Sequence, residues 1–421
     1  MNRRDVLKLT AVGAGLAAVA DAAGEVAGPP SGQPAVVTPN GSTLPWKVVR
    51  GVKVGHLVAE VVKHEFAPGL EVEAWGYNGG TPGPTIEAVQ GDTVRLYVTN
   101  RLPEPTTVHW HGVLLPNGMD GVSGLTQKPI PPGATFKYEF TFKDAGTYMY
   151  HPHFDEMTQM ALGLMGMIVV HPRAPRGLPV KRDFALMTHA WKLRAGMRRP
   201  DPNAMSDFNV LTFNSRCFPA TAPLVVGVGE RVRVRLGNLS AMDHHSIHLH
   251  GVRAEVTWTD GGEVPPSARV PEVTVLVPVG SVRVVELTFP APGDWAMHCH
   301  MTHHVMNQMG HNGPVMLGAD AQRIDARVQS LVKGYMTMGH DGMGGMSAMA
   351  TMMEGPPNSI SMHGGPGPFA HIDMGGMFTV FKVRPDPSKA DPDGFWDHPK
   401  GTVADEATEG ELLLDGIEVK S

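Results

Sequence analysis

Cysteine is nearly absent from this chain of 421 residues, which has only Cys217 and Cys299. The two thiols could form one disulfide, but Cys299 stands between two histidines, which favours a metal ligand, and we expect no disulfide. Basic charge is not in excess, because the formal net charge is −6, so a nucleic-acid partner is not expected. Beyond the N-terminus no apolar run is long enough to span a bilayer.

Aromatic residues are also scarce, whereas Gly (50) and Pro (37) are abundant. This composition is typical of short strands joined by many turns and disfavours long helices. Histidine (21) and methionine (26) are unusually frequent. Imidazole and thioether are both copper ligands, so copper chemistry is the first function to consider.

The N-terminus predicts export. Arg3 and Arg4 begin a segment that resembles a twin-arginine motif, and an Ala/Gly-rich apolar run follows from Leu9 to Ala20. This run falls short of the ~18 apolar residues that a membrane span requires. We therefore interpret residues 1–22 as a cleavable signal and expect a periplasmic or secreted protein without a membrane span.

Strictly alternating apolar and polar residues predict strands, and the order of the elements occurs twice. In each half a Gly turn precedes an alternating run, a His-rich strand follows, and a Pro/Gly turn leads into a second alternating run. We infer an all-β protein with two homologous antiparallel sandwiches, at residues 46–175 and 180–320. The runs are Thr93–Thr99, Thr135–Phe142, Arg231–Leu236 and Val282–Phe289.

Residues 334–421 differ in composition and are predicted to form a C-terminal extension. The part from Met336 to Met377 is rich in Met, Gly and His and has ten methionines, and the part after Pro385 is polar and acidic. Thioether favours Cu(I), so the Met-rich segment predicts copper handling. A low-complexity linker that binds nothing is the alternative interpretation.

Four histidine clusters carry the predicted chemistry. Residues i and i+2 of a strand point to the same face about 6.5–7 Å apart, so one His-x-His pair can serve two neighbouring metal ions. Four such pairs supply eight imidazoles, enough to hold three coppers with open positions for O2. The pairs are His109/His111, His151/His153, His248/His250 and His298/His300.

Cys299 points away from its two flanking histidines, to the opposite face of the strand. His245 and His304 can join it there, with Met309 as a weak axial ligand, which gives the ligand set of a blue-copper centre. Because Cys299 is covalently continuous with His298 and His300, an electron received at this site has a short route to the three-copper cluster.

Simpler interpretations exist for each motif alone. A single His-x-His is more often part of a surface strand, and a His pair with a Cys also fits a zinc site. Neither interpretation explains four clusters in this order with a Cys inside the last one.

With these motifs, residues 75–320 resemble the multicopper oxidase family of laccases, cuprous oxidases and copper-resistance oxidases. The resemblance implies cupredoxin-like Greek-key sandwiches and four coppers per subunit. In the implied assignment, His109 and His248 hold the type 2 copper, and two sets of three histidines hold the type 3 pair. The sets are His111, His151, His300 and His153, His250, His298, and the type 1 ligands are His245, Cys299, His304 and Met309.

Two departures from the family pattern bear on the architecture. Ser246 replaces a common proline and keeps the histidine spacing, and Pro152 stands where a second blue-copper cysteine would be. Having two sandwiches, the chain is similar to two-domain laccases. That similarity implies a homotrimer with the three-copper clusters between subunits.

Reduction of O2 consumes protons, so an acid near the cluster is expected. Asp120 resembles the acidic residue of the family near the type 2 copper, although an Asp before Gly is also an ordinary turn residue. A second acid found in some relatives is replaced by Val305.

The sequence therefore predicts a multicopper oxidase that takes electrons from Cu(I) or a small phenolic or aromatic reductant, reduces O2 to water and has a role in copper tolerance. A copper-sequestering resistance protein is the alternative from another class. A copper nitrite reductase also combines two sandwiches and forms trimers, but Pro152 and the His-Cys-His motif argue against it.

Overall fold

The computed structural model describes residues 33–175, 177–194, 197–307, 326–327, 329–331, 358–360 and 364–418. The predicted signal, Met309 and most of the Met-rich segment lie outside these residues. In the part of the chain that is described, no helix combines the length and the apolar character that crossing a membrane would need.

The first sandwich consists of two sheets. One sheet has the strand order β2-β3-β6-β8, with β4 paired to β3, and the other has the order β5-β10-β9-β7. A short helix, α1 (Glu156–Ala161), follows the second His-x-His motif. The strands are β2 (Lys47–Val49), β3 (Val52–Ala67), β4 (Leu70–Tyr77), β5 (Ile86–Val89), β6 (Thr93–Asn100), β7 (His109–His111), β8 (Thr135–Thr141), β9 (Gly146–His151) and β10 (Gly166–His171).

The second sandwich also consists of two sheets. The larger has the order β1-β11-β14-β20-β16-β17, with β12 on β11 and β18 on β16, and the smaller has the order β13-β22-β21-β15-β19. The strands are β1 (Val36–Val37), β11 (Arg182–Trp191), β12 (Val210–Phe213), β13 (Leu224–Gly227), β14 (Arg231–Asn238), β15 (His245–Leu249), β16 (Ala254–Thr259), β17 (Gly262–Glu263), β18 (Pro271–Glu272), β19 (Thr274–Val277), β20 (Ser281–Thr288), β21 (Gly293–Cys299) and β22 (Phe378–Arg384).

The all-β prediction is confirmed, and the alternating runs explain why. Along β6 every second side chain is buried, and β8 lies antiparallel beside it from Thr93↔Thr141 to Thr99↔Thr135. The apolar faces of the two sheets enclose one core in each sandwich. Burial of these faces is the main stabilising contribution, because it removes apolar area from water.

Strand β22 corrects the predicted domain boundary. The composition places Phe378–Arg384 in the C-terminal extension, but this strand pairs antiparallel with β21 and parallel with β13, in the middle of the smaller sheet. The second sandwich therefore does not end near residue 320. Its last strand follows the Met-rich segment, which becomes an insertion between two adjacent strands of one sheet. The tail also contains a short helix, α2 (Glu409–Leu414).

A third apolar cluster joins the two sandwiches. Met149, Met167 and Val169 of the first pack with Met187 and Val284 of the second, and all are buried.

An ion pair lies at the same junction. Arg235 donates from Nε and Nη2 to the two carboxylate oxygens of Asp183, each at 2.7 Å, and from Nη1 to Thr147 Oγ1 in the first sandwich. Coulombic attraction and hydrogen bonding from Arg235 and Arg233 outweigh burial, so the pKa of Asp183 is lowered. A buried charge of this kind is tolerated only where it is paired.

Candidate metal centres

The first histidine group forms where β7 lies beside the end of β9. His109 pairs with His151 across the two strands, and the fully buried Trp110 between the histidines turns into the core. The alternation of the strand therefore anchors one side chain and directs His109 and His111 outward together. The ring centroids of His109 lie 5.7 Å from His111, 5.3 Å from His151 and 5.5 Å from His153.

Within this group, His111 Nδ1 and His151 Nε2 are 3.2 Å apart. The other nitrogen of His151 lies 2.9 Å from the carbonyl oxygen of Pro152. His109 Nδ1 lies 2.8 Å from the carbonyl oxygen of Asp120. A carbonyl can only accept, so the Nδ1 atoms of His151 and His109 carry the proton and each Nε2 keeps its lone pair for a metal.

Burial lowers the pKa of His151 to about 3, and burial followed by the charge of His109 lowers the pKa of His111. Both rings are therefore neutral near pH 7 in the metal-free protein. Neutral imidazole is the form that ligates a metal.

The second histidine group is built in the same way from β15 and β21. His248 stands opposite His298 across the strands. Ring centroids are 4.6 Å apart for His248 and His250, 5.6 Å for His248 and His298, and 5.5 Å for His248 and His300. Here too the Nδ1 atoms face carbonyl oxygens, at 2.8 Å from Val273 for His248 and at 2.9 Å from Cys299 for His298.

The two histidine groups are separate within one chain. In residues 33–175 and 197–307, the histidine rings of each group contact one another, and no ring of one group contacts a ring of the other. Each group supplies four imidazoles of the predicted eight. Within the described residues, each group is thus a set of four imidazoles carried by one sandwich.

The third centre has three of its predicted ligands together within the chain. His245, Cys299 and His304 are fully buried and converge below β15 and β21. His245 Nδ1 and His304 Nδ1 are 3.2 Å apart, and Cys299 Sγ lies 3.8 Å from His245 Nδ1 and 3.4 Å from His304 Nδ1. Three donors of the blue-copper type thus surround one point.

The groups of this third centre are uncharged in the metal-free protein. Burial raises the pKa of the Cys299 thiol to about 11 and lowers that of His245 well below its ordinary value. In the metal-free protein the thiol is therefore protonated at neutral pH and the His245 imidazole is neutral. Binding of a thiophilic metal ion would release the thiol proton.

Both cysteines are free, so the expectation of no disulfide is confirmed. Cys217 is buried and belongs to neither candidate metal group, and burial raises the pKa of its thiol to about 12.

The predicted acid, Asp120, lies beside His109, with a carboxylate oxygen 3.4 Å from its Nδ1. A second acid, Glu156, is not predicted from the sequence, yet its carboxylate oxygens lie 3.5 Å from His151 Nδ1 and 3.7 Å from His153 Nε2. Its position three residues after the His-x-His motif, at the start of a helix, is the sequence feature that could have indicated Glu156.

Two further polar neighbours of the third centre are also not predicted. Ser240 Oγ is 2.7 Å from His245 Nε2, and Asp243 Oδ2 is 3.7 Å from His304 Nε2. Both residues lie in the connection between β14 and β15, so only the fold brings them to the ligands.

Two multicopper oxidase family profiles match the chain, at residues 59–175 and 194–316. Copper resistance protein A of Escherichia coli is 31% identical over 248 residues, which are 47% of this chain and 40% of that protein. Laccase-1 of Cryptococcus neoformans var. neoformans serotype D (strain B-3501A) is 34% identical over 225 residues, 47% of this chain and 36% of that protein. The chain thus spans about two-fifths of the length of these relatives.

Solved structures agree with the fold. The blue copper oxidase from Nitrosomonas europaea superposes with a TM-score of 0.57 at 26% identity, covering 78% of this chain and 85% of that one. The multicopper oxidase mgLAC superposes with a TM-score of 0.55 at 32% identity, covering 60% of this chain and 81% of that one. A copper nitrite reductase from Nitrosomonas europaea, at 24% identity and a TM-score of 0.50, shares the fold.

Proposed function

This chain belongs to the multicopper oxidase family, and from that premise we propose that it oxidises a reducing substrate with O2 as the acceptor. The observation that supports this most is the connection between the two kinds of centre. Cys299 belongs to the buried set of one cysteine and two histidines, and its sequence neighbours His298 and His300 belong to the second histidine group.

The donor sets fit copper. Cys299, His245 and His304 would hold a type 1 copper, with Met309 outside the described residues as the predicted axial ligand. The two histidine groups would hold a type 2 and two type 3 coppers. When bound, these coppers would supply one-electron oxidation of the reductant and four-electron reduction of O2 to water.

The chain's own residues would orient the ligands and manage protons. The carbonyls of Asp120, Val273 and Pro152 hold ring protons on the far side of their histidines, which fixes the nitrogens available to metal. The carboxylates of Asp120 and Glu156, next to the first histidine group, are suited to pass protons toward O2.

The three-copper cluster is proposed to form between subunits of a homotrimer. Each histidine group would then be a half-site, and exposed apolar side chains near both groups along the chain or across a strand are costly to leave in water. Leu114, three residues after His111, is 65% exposed, and Met301, next to His300, is 40% exposed. Val273, whose carbonyl faces His248 Nδ1, is 46% exposed, and Leu276, opposite Ser246 across β15 and β19, is 50% exposed. Docking of the first sandwich of one copy on the second sandwich of the next would cover both surfaces and complete eight imidazoles.

Oxygen uptake by the purified, copper-loaded protein tests the activity. Sustained uptake with Cu(I) or a phenol, together with an intense thiolate-to-copper absorption band, is expected. Stoichiometric copper binding without uptake would support the sequestering protein instead. Light scattering of the same sample would give the mass, and a monomer with full activity would contradict the intersubunit cluster.

Cu(I) is the reductant favoured by the Met-rich segment, and similarity to copper resistance protein A supports a role in copper tolerance. Deleting residues 336–357 removes seven of the ten methionines and stops short of the described residues that lead into β22. Cu(I) oxidation is expected to fall while phenol oxidation is kept. An equal rate with Cu(I) would contradict the role of the segment.

The twin-arginine segment supports export to the periplasm. A fusion of residues 1–22 to a reporter that is active only after transport through that pathway tests this. The double substitution Arg3→Lys and Arg4→Lys is expected to abolish transport of the reporter.

A further inference from the structure

The residues just before β22 lie directly on the ligands of the third centre. Gly375 N donates to the carbonyl of Val305 at 2.7 Å, and Met377 N donates to the carbonyl of His304 at 2.9 Å. In the opposite direction, Cys299 N donates to the carbonyl of Met377 at 3.0 Å. Two of the three described ligands are therefore fixed through their backbone by one tripeptide, Gly375–Met377, which we call the clasp.

Asn307 fastens the clasp from the other side. Its Oδ1 accepts from Gly376 N at 2.8 Å, and its Nδ2 donates to the carbonyl of Phe218 at 3.0 Å. Phe218 N in turn donates to the carbonyl of Gly376 at 2.9 Å. The Asn307 side chain is 1% exposed, so water cannot easily replace these bonds.

Glycine is required at the centre of the clasp. Gly376 has φ +56°, and a Cβ at this position would stand 2.4 Å from the carbonyl oxygen of His304. A side chain here must displace the backbone that carries His304. The approach of the two segments therefore depends on the absence of a side chain.

The clasp also brings a thioether close to the thiol. The register His298↔Phe378 places Cys299 opposite Met377, so both side chains point to the same face. Both are fully buried in one apolar cluster. The low polarity around a Cys sulfur is one of the factors that set the potential of a blue-copper centre.

We propose that the clasp is a positioning element of the type 1 centre: with Asn307, it holds Cys299 and His304 in place and so sets the reduction potential of the copper. Asn307 and Gly376 lie at the two ends of the insertion that contains the Met-rich segment, and the bond between them brings these ends together beside the ligands. The inference rests on the proposed function for the identity of the metal, whereas the contacts themselves can be tested without metal.

Three variants test the proposal. In Gly376→Ala the added Cβ clashes with the carbonyl oxygen of His304. Asn307→Ala removes the side-chain bonds to Gly376 and Phe218 without adding atoms. This second variant therefore remains informative if Gly376→Ala does not fold. Gly229→Ala is the control, since Gly229 has φ +75° in the same sandwich and no heavy atom within 4 Å of an added Cβ. The control introduces similar backbone strain away from the centre.

In the copper-loaded protein, Gly376→Ala and Asn307→Ala are expected to shift the type 1 potential by ~59 mV or more, a tenfold change in the reduction equilibrium. Their thiolate-to-copper band and electron paramagnetic resonance spectrum should change, while Gly229→Ala keeps both. Folded Gly376→Ala with the wild-type potential and spectrum, or an equal shift in Gly229→Ala, would overturn the proposal. If Gly376→Ala does not fold, Asn307→Ala decides.

Hydrogen exchange in the metal-free protein separates this proposal from the proposed function. The amides of Cys299 and Met377 are expected to be protected in the wild type and at least about tenfold less protected in Asn307→Ala. Equal protection in both proteins would refute the clasp even if the protein is an active oxidase. A wild type with protected amides and no blue copper would refute the oxidase and leave the clasp as a structural element only.

Discussion

Ser240 Oγ lies 2.7 Å from Nε2 of His245, and both residues are completely buried. The hydroxyl can accept a hydrogen bond from Nε2–H in the tautomer whose Nδ1, which faces Cys299 and His304, keeps its lone pair for a metal. A residue five positions before the ligand is thereby placed to stabilise the tautomer that can bind metal.

Ser240→Ala should weaken the type 1 site selectively. Loss of a hydrogen bond to the outer nitrogen of a ligating histidine lowers metal affinity by roughly 10–100-fold. Competition with a copper chelator, followed by the absorption of the thiolate-bound copper, measures this affinity. Ser281→Ala is the control, because Ser281 is also buried in this sandwich but bonds to the Pro278 carbonyl. Equal affinity in wild type and Ser240→Ala would contradict the assigned role.

Cys299→Ser should remove the blue copper and leave the cluster. A hydroxyl is a poor ligand for this copper, so about three coppers per chain should remain and the visible band should vanish. Oxygen uptake should fall to the background rate, because the entry point for electrons is lost. Cys217→Ala is the matched control, as Cys217 is equally buried and its thiol donates to the carbonyl of Phe66. Oxygen uptake that persists in Cys299→Ser would refute the electron route.

Acid should destabilise the metal-free protein through buried histidines. Burial lowers the pKa of His189 to about 4, whereas an imidazole in an unfolded chain titrates near ~6.5. Between pH ~6.5 and pH ~4 the His189 imidazole binds a proton in the unfolded chain but stays neutral in the native state. The free energy of unfolding therefore falls as the pH decreases over this range. For this one group the loss is about 2 kcal/mol at pH 5.

Urea unfolding of the metal-free protein at pH 7 and pH 5 measures the effect. His189→Gln, which cannot titrate, should show a smaller loss of stability between the two pH values than the wild type. The same loss in both proteins would show that His189 does not contribute.

Much of the fold and of the ligand set could be predicted from the sequence, because the signals are local. Strict alternation from Thr93 to Thr99 fixes both a strand and its buried face, and spacing of two places His109 and His111 on one side. Strand β22 could not be predicted in its place, since Phe378–Arg384 lacks a strict apolar alternation and follows a long segment of unrelated composition. Its partners are supplied by strands far away in sequence.

The positioning residues were not predictable for a similar reason. Ser240, Glu156 and Asn307 are ordinary polar residues in sequence, and only the tertiary structure brings them to the metal-binding groups. The separation of the two histidine groups is equally a property of the packing between sandwiches. Spacing along the chain specifies which histidines share a strand face but not which faces meet.

Subunit mixing tests whether the faces that meet belong to different copies. His109→Ala disables the first half-site and His248→Ala the second, so neither variant alone should assemble a complete cluster. In trimers formed from equal amounts of both, an interface is intact only where a sound first half-site meets a sound second one, which random assembly gives at about a quarter of interfaces. Oxygen uptake should therefore recover to about a quarter of the wild-type value.

The pairing of variants supplies its own control. Mixing His109→Ala with His111→Ala leaves every first half-site defective, so no arrangement of these subunits restores a cluster and no uptake should return. A cluster formed within one chain would also give no recovery with His109→Ala and His248→Ala, because every chain then carries a defect in its own site. Recovery in the first mixture and not in the second requires that each half-site is completed by a neighbouring copy. Its absence in both, in trimers shown to be mixed by different affinity tags on the two variants, would refute the intersubunit cluster.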